Sequence, residues 1–416
     1  MWIKLLLVAL VATLSLADKE RFDGFKVFRV VPSTDEHVDI LKQLTMENGY
    51  AFWTYPTKVN QPVDVMVSQE VLNSFYKLME STHMKYEEFI EDVQRLIDTE
   101  NPHVTREEIG YSHKKYHTLD ELYQWFELLT KQYPDVVSII EVGKTYEGRT
   151  IKGVKISYGS KNPGIFIEGG IHAREWISPA TVTYLIDQFL TSTDSKIRKL
   201  AESHDWYMVP SVNPDGYVYT HEKNRLWRKT RSGSGLCKGV DANRNWGFMW
   251  NSGGASLIPC MEDYAGKGPF SEIETKTLSQ YLTSLKGKLF AYISFHSYSQ
   301  LLMFPYGHTT KHLDNHEEEK AIGMKAIGAL AERYGTKYVT GNIAETIYVA
   351  SGNSMDWVKA TLKLPVTYTY ELRDKGRYGF LLPADQIIPN GEEVMDSLVT
   401  MFDEAIKFGY PKPTEE

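Results

Sequence analysis

The sequence predicts an α/β fold, a mixed, mainly parallel twisted sheet with helices on both faces, preceded by a small α+β unit. Three observations carry this. From residue 116 onward, strand-like and helix-like segments alternate, as they do when helices cover a sheet on both sides. Several of the strand-like segments, GIFIEGGI, LFAYISFHSYS and LPVTYTYEL, are continuous apolar runs of the kind buried on both faces. The 416 residues also exceed what one ordinary core organises, so a small and a large domain are expected.

The elements follow in order. Met1 to Ala17 hold a lysine, the apolar run LLLVALVATLSLA and a small-residue end, which reads as a secretory signal over residues 1–17. The run is shorter than the roughly 20 apolar residues of a membrane span. FKVFRVVP and VDVMVS then read as strands, and DEHVDILKQLTMENG and VSQEVLNSFYKLMEST as helices with apolar residues three and four apart. KYEEFI supplies another strand and EDVQRLIDTENPH a charged helix, completing a unit over residues 18–115. Lys114 and Lys115 follow among polar residues, an expected exposed linker open to a trypsin-like protease, with Arg106 a competing cut site.

The larger domain, 116–416, opens with the helix in YHTLDELYQWFELLTKQYP. SIIEVG, IKGVKISYG and WYMVPSVNP add strands, and SPATVTYLIDQFL, SEIETKTLSQYLTSLK and EKAIGMKAIGALAERYG are its intervening helices. In such sheets ligands sit beyond the carboxyl ends of the strands, so the residue after each apolar run is the one to inspect.

Composition excludes some functions. The net charge of −8 leaves no global basic field for nucleic acid or an anionic membrane, and no later run is long and apolar enough to span a bilayer. An exported protein would be secreted into an oxidising compartment, where its two cysteines, Cys237 and Cys260, are expected to pair; two separate buried thiols are the alternative.

GIFIEGGI ends directly in His172-Ala173-Arg174-Glu175, which offers a nitrogen and an oxygen donor three residues apart. Such a pair suits zinc but is common by chance, and its ordinary reading is a surface ion pair. His296, after the strand in LFAYISFHSYS, projects into the same crevice and supplies a third donor. No His-Glu-x-x-His helix and no Gly-x-Ser-x-Gly elbow occurs.

Six runs then occur in order: HAREWISPA, VNPDGY, NRLWRKTRS, VDANRNW, SFHSYSQ and ELRDKGRYGFLLPA. Through them the chain resembles the pancreatic-type zinc metallocarboxypeptidases, the carboxypeptidase A and B family, over nearly its full length. The resemblance implies a ferredoxin-like, open-sandwich activation domain that inhibits by capping the site, and a Cys237–Cys260 disulfide. It implies one Zn²⁺ per catalytic domain on His172, Glu175 and His296, with a coordination position left for water. Glu371 then matches the general base and Arg228 the clamp on the developing oxyanion. Asn243 and Arg244 match the binders of a substrate's terminal carboxylate, and Tyr348 the mobile tyrosine that closes over it. Arg174 and Phe380 would line adjoining subsites. The implied partners are peptide and protein C-termini.

In the family, the floor of the terminal side-chain pocket sets specificity, and here that position is Met355. A lysine or arginine end would be buried without a counter-charge, so apolar or aromatic ends are expected. Ile343, Ala350, Gly307 and Thr369 match the pocket walls. Met355 stands where a smaller branched aliphatic is usual, and Asn353 replaces a glycine, which places a polar amide near the rim. A B-type or mixed specificity is the alternative, and a silent peptide-binding relative a more distant one.

Overall fold

The computed structural model describes residues 19–101, 110–159 and 161–411. The expected signal and Arg106 lie outside the described residues.

The N-terminal unit contains β1 (Lys26–Val31), β2 (Tyr50–Phe52), β3 (Val63–Val67) and β4 (Lys85–Ile90), with helices over Asp35–Leu44, Leu72–Thr82 and Val93–Thr99. The sheet order is β2-β3-β1-β4 and every pairing is antiparallel. Thr34 starts the first helix by accepting the His37 N–H, as an N-cap should. The sequence reading missed β2, whose three residues are too few to show alternation. Period 2 divides this sheet cleanly. Phe28, Val30, Val65 and Val67 face the helices, where they meet Phe75 and Met79. Val27, Met66 and Ile90 face the larger domain, where they meet Leu226, Tyr298 and Phe380.

The larger domain is built on an eight-stranded sheet. Its strands are β5 (Val137–Lys144), β6 (Thr150–Ile156), β7 (Gly164–Glu168), β8 (Asp205–Val209), β9 (Leu289–Ser297), β10 (Leu301–Phe304), β11 (Val339–Asn342) and β12 (Val366–Leu372). The order is β11-β10-β12-β9-β7-β8-β6-β5. The four central strands β8, β7, β9 and β12 run parallel, and antiparallel pairings flank them. The short strands β10 and β11 escaped the sequence reading, since LLMF and VTGN are four residues each.

Helices Leu119–Gln132, Ile177–Thr191, His316–Tyr334 and Ile387–Lys407 cover one face, and Ile273–Ser284 and Ser354–Leu362 the other. Every residue of β7 and β9 is therefore buried, which explains their uninterrupted apolar runs. The first of these helices is entered through a capping box between Thr118 and Glu121.

Lys114 and Lys115 do not form an exposed linker. Lys114 is exposed, but Lys115 is buried with its Nζ donating to Glu121 Oε1 at 2.9 Å. Tyr111 stacks on Trp125 at 4.1 Å, so this segment is already fastened to the larger domain.

Candidate metal centre and active site

Strand alternation places the site. In β9, Ala291, Ile293 and Phe295 face the helix-rich core, which turns Tyr292, Ser294 and His296 to the opposite face. In β12, Val366, Tyr368 and Tyr370 do the same, which turns Glu371 outward beside them. The parallel register sets Glu371 directly opposite His296.

His172 arrives differently. β7 ends at Glu168, and Gly169 and Gly170 carry the chain into the turn His172–Glu175 ahead of the helix at Ile177. Gly170 has φ +63°, and a Cβ there would lie 3.0 Å from the Pro210 carbonyl oxygen. The turn therefore needs glycine for both conformation and space.

These segments bring three donors to one point. The ligand atoms of His172, Glu175 and His296 lie within 4.8 Å of one another, and all three side chains are buried. His172 Nδ1 is 2.8 Å from Glu175 Oε1, and His296 Nδ1 is 3.1 Å from both Glu175 Oε2 and His172 Nδ1. Two ring nitrogens facing each other satisfy at most one hydrogen bond between them. Lone pairs converging from two imidazoles and a carboxylate are instead the donor set zinc prefers. His172 Nε2 lies 3.1 Å from Asp241 Oδ1, which fixes the proton on Nε2 and leaves Nδ1 its lone pair. The group thus fits zinc.

Charge is arranged around this centre. Asp241 also accepts from Arg228 Nε (3.1 Å) and Nη2 (2.8 Å). Burial opposes ionisation of Asp241, yet Arg228 and His172 outweigh it and hold its carboxyl well below the usual range. Glu371 has the opposite balance. Burial pushes its carboxyl up to about 8, His296 works against this, and the charge of Glu175 adds to it. Arg373 does not pair with it, since its guanidinium is committed to Glu393 at 2.7 and 2.5 Å.

The other predicted residues divide into two groups. Asn243, Arg244, Ile343, Tyr348, Met355 and Phe380 line one pocket with the metal group, Arg228 and Glu371, and Ala350 and Thr369 complete its wall. Arg244 is held by donation from Nε to Gly254 O (2.9 Å) and from Nη1 to Asn243 O (2.9 Å), and the Tyr348 ring centre lies 5.8 Å from its guanidinium. Asn243 Oδ1 accepts the Ser354 N–H at 3.0 Å. Met355 is buried beneath, in the apolar cluster with Ile343 and Trp357. Gly307 packs just behind this wall, where a Cβ would lie 2.8 Å from Asn353 Nδ2.

Arg174 stands outside that pocket. It stacks on Phe380 at 4.1 Å and lines a neighbouring cavity shared with the N-terminal unit. Asn353 lines the pocket, as expected of a rim amide, and it also has a structural task. Its amide is turned inward, accepting the Asp356 N–H (2.7 Å) and donating to Ala350 O (2.8 Å), so it caps the helix Ser354–Leu362. Cys237 and Cys260 form a disulfide, as expected.

The sequence reading missed Asp241, the shared partner of His172 and Arg228, although it lies inside VDANRNW. It also missed the residues by which the N-terminal unit closes the site. Trp53 and Thr54 line the pocket directly. Asp64, paired with Arg29 at 2.7 Å, accepts the Tyr298 hydroxyl at 2.6 Å. Gln61 Nε2 donates to the carbonyl of Ile347 at 2.7 Å, beside Tyr348. Glu100 forms a buried two-point pair with Arg225 at 2.6 and 2.8 Å.

A buried two-histidine, one-glutamate group at the carboxyl ends of the central parallel strands, covered by the chain's own N-terminal unit, is the arrangement of a metalloenzyme whose site is capped. Comparison with known proteins narrows the class. The zinc carboxypeptidase family matches residues 122–397, and the carboxypeptidase activation peptide matches residues 28–100. A zinc carboxypeptidase of Simulium vittatum is 54% identical over 299 residues, covering 71% of this chain and 98% of its own. Zinc carboxypeptidase A 1 of Anopheles gambiae is 43% identical over 410 residues, covering 97% of this chain and 95% of its own. The crystal structure of thrombin activatable fibrinolysis inhibitor matches at a TM-score of 0.85 and 32% identity, covering 93% of this chain and 100% of that one. The chain belongs to the zinc carboxypeptidase family, with an activation peptide ahead of its catalytic domain.

Proposed function

We propose that this chain is the secreted zymogen of an A-type carboxypeptidase that removes apolar or aromatic C-terminal residues. One observation carries the specificity: the pocket that Arg244 lines also presents the buried thioether of Met355. Its acidic lining side chains among the described residues are Glu175 and Glu371, both committed to the metal group's surroundings. A cationic end would therefore lose its hydration without a partner.

In this reading His172, Glu175 and His296 would hold zinc, and the chemistry it would supply there is Lewis-acid polarisation of a carbonyl and a lowered pKa for bound water. Arg244 and Asn243 take the terminal carboxylate, and Tyr348 closes over it. Glu371 takes a proton from the attacking water and returns it to the leaving amine. Arg228, kept charged by Asp241, supplies fixed positive charge where the oxyanion develops. Arg174 and Phe380 serve the preceding substrate residues.

The N-terminal unit must leave before a peptide enters, because its Trp53 and Thr54 form part of the pocket lining beside the metal group. We place the cut by a trypsin-like protease upstream of Gly110, at Arg106. Support comes from the buried Lys115 and the stacked Tyr111, which fasten the lysine pair to the catalytic domain.

The test compares peptides ending in Phe and Arg, before and after limited trypsin treatment, with and without chelator. Chelator-sensitive release of Phe that appears only after cleavage is expected. Preferred release of Arg, or activity that survives complete metal removal, would overturn the proposal.

A further inference from the structure

The ligand His172 sits past the end of its strand, where no ladder holds it. The last β7 pairing with β9 is Glu168 with Ser294, so from Phe295 onward β9 has lost that neighbour. The segments that carry His172, His296 and Arg228 must be fixed to one another in some other way.

Two buried polar side chains occupy the gaps. Ser178 Oγ, fully buried, accepts the Gly170 N–H at 2.9 Å and donates to the Phe295 carbonyl at 2.6 Å. It thereby joins the backbone two residues before His172 to the backbone one residue before His296. Asn213, also fully buried, donates from Nδ2 to Ile171 O (3.3 Å) and Lys229 O (3.1 Å), while its Oδ1 caps the helix Pro214–Glu222 through the Gly216 N–H (3.1 Å). It joins the residue before His172 to the residue after Arg228. The Ala173 N–H, donating to Arg228 O at 3.0 Å, reinforces the same seam.

We propose that Ser178 and Asn213 are positioning residues that set the spacing of the metal site: Ser178 fixes the separation of the two histidine ligands, and Asn213 fixes His172 relative to Arg228. The inference rests on the assignment of His172 and His296 as ligands. A hydroxyl that both accepts and donates is the smallest group able to replace the missing rung, and an amide adds the second donor hydrogen the wider gap requires. Loss of Ser178 Oγ removes the partner of the Gly170 N–H, and loss of Asn213 Nδ2 removes that of the Ile171 carbonyl and leaves the Lys229 carbonyl only the Trp227 Nε1–H at 2.7 Å, so the seam relaxes by shifting the segments it joined.

The two roles separate experimentally. Ser178→Ala is expected to release zinc to a competing chelator about ten- to a hundredfold more readily, the usual scale for partners one step behind a ligand. Ser178→Thr, which keeps the hydroxyl, should restore retention, and Ser178→Cys, a weaker donor, should lie between. If Ala does not fold, the Cys and Thr pair carries the same comparison. Asn213→Ser, which keeps a helix cap but cannot reach both carbonyls, should lower kcat about tenfold with KM within about twofold, since Arg228 acts on the transition state.

A Ser178 series whose thermal stability falls while zinc retention stays constant would overturn the proposal, as would an Asn213→Ser enzyme with unchanged kcat. His172→Ala is the control. If it still binds one equivalent of zinc, the ligand assignment itself fails; if it loses zinc while the Ser178 series does not, only the positioning role fails.

Discussion

The two sheets of this molecule bury their second faces against different things. In the eight-stranded sheet both faces of the central strands are covered by that domain's own helices and loops, and the chemistry emerges only at the carboxyl ends, at His172, His296 and Glu371. In the four-stranded sheet one face meets its own helices, and the other meets the mouth of the active site through Val27, Met66 and Ile90. The small unit thus completes its burial at the expense of substrate access. A small domain has too little interior to bury both faces of a sheet by itself, so covering the active site also stabilises the cover.

The contrast predicts that the large domain's end residues control rate, while the small unit's outer face controls access. Glu371→Gln should lower kcat by about 10²- to 10⁴-fold with zinc content unchanged, the range for removing a general base. Activated enzyme with metal analysis checks it, and near-normal kcat would remove Glu371 from that role.

Met355→Asp should shift the ratio of Phe-ended to Arg-ended cleavage by about a hundredfold toward Arg, since it supplies the missing counter-charge. Equal effects on both peptides would mean that Met355 does not floor the pocket.

Asp64→Ala removes the partner of Arg29 and Tyr298 at the covering face. Uncut zymogen should then show about tenfold more activity, with the cleaved enzyme unchanged. This follows from a part-buried guanidinium and a buried Tyr298 hydroxyl that both lose their partner, which favours opening by a few kcal/mol at most. If the uncut variant stays as silent as the parent, the face is closed by its apolar contacts alone.

The smallest effect concerns pH. Burial, aided by His117, lowers His113 to about 4, below an unfolded value near 6.5. Unfolded chains therefore bind the proton first as pH falls, and stability should drop below pH 6.5 by about 2 kcal/mol at pH 5. His113→Gln should flatten that part of the profile in denaturant titrations at pH 7.5 and 5; an unchanged slope would assign the acid loss elsewhere.

Much of the fold was legible because periodicity is local. The apolar runs of β7, β9 and β12 announced central strands, and the residues after them announced the site. Strands β2, β10 and β11 were not legible, because three or four residues cannot display a period and gain their identity only by pairing. The lysine pair misled for a related reason: burial of Lys115 depends on Glu121 and on the packing of Tyr111, neither of which is implied by two adjacent lysines. Asn353 was legible as a pocket-side amide, but its capping of the helix at Ser354 was not.

By itself the sequence determined the two-unit order, the donor types at His172, Glu175 and His296, and the apolar character of Met355, because residue chemistry and strand period travel with the chain. Tertiary structure alone decided that Asp241 serves both His172 and Arg228, that Asp64 reaches Tyr298, and that Ser178 bridges two strand ends. The hydrogen bonds involved join groups 8 to 234 residues apart, and such contacts have no local signature until the sheet brings their partners together.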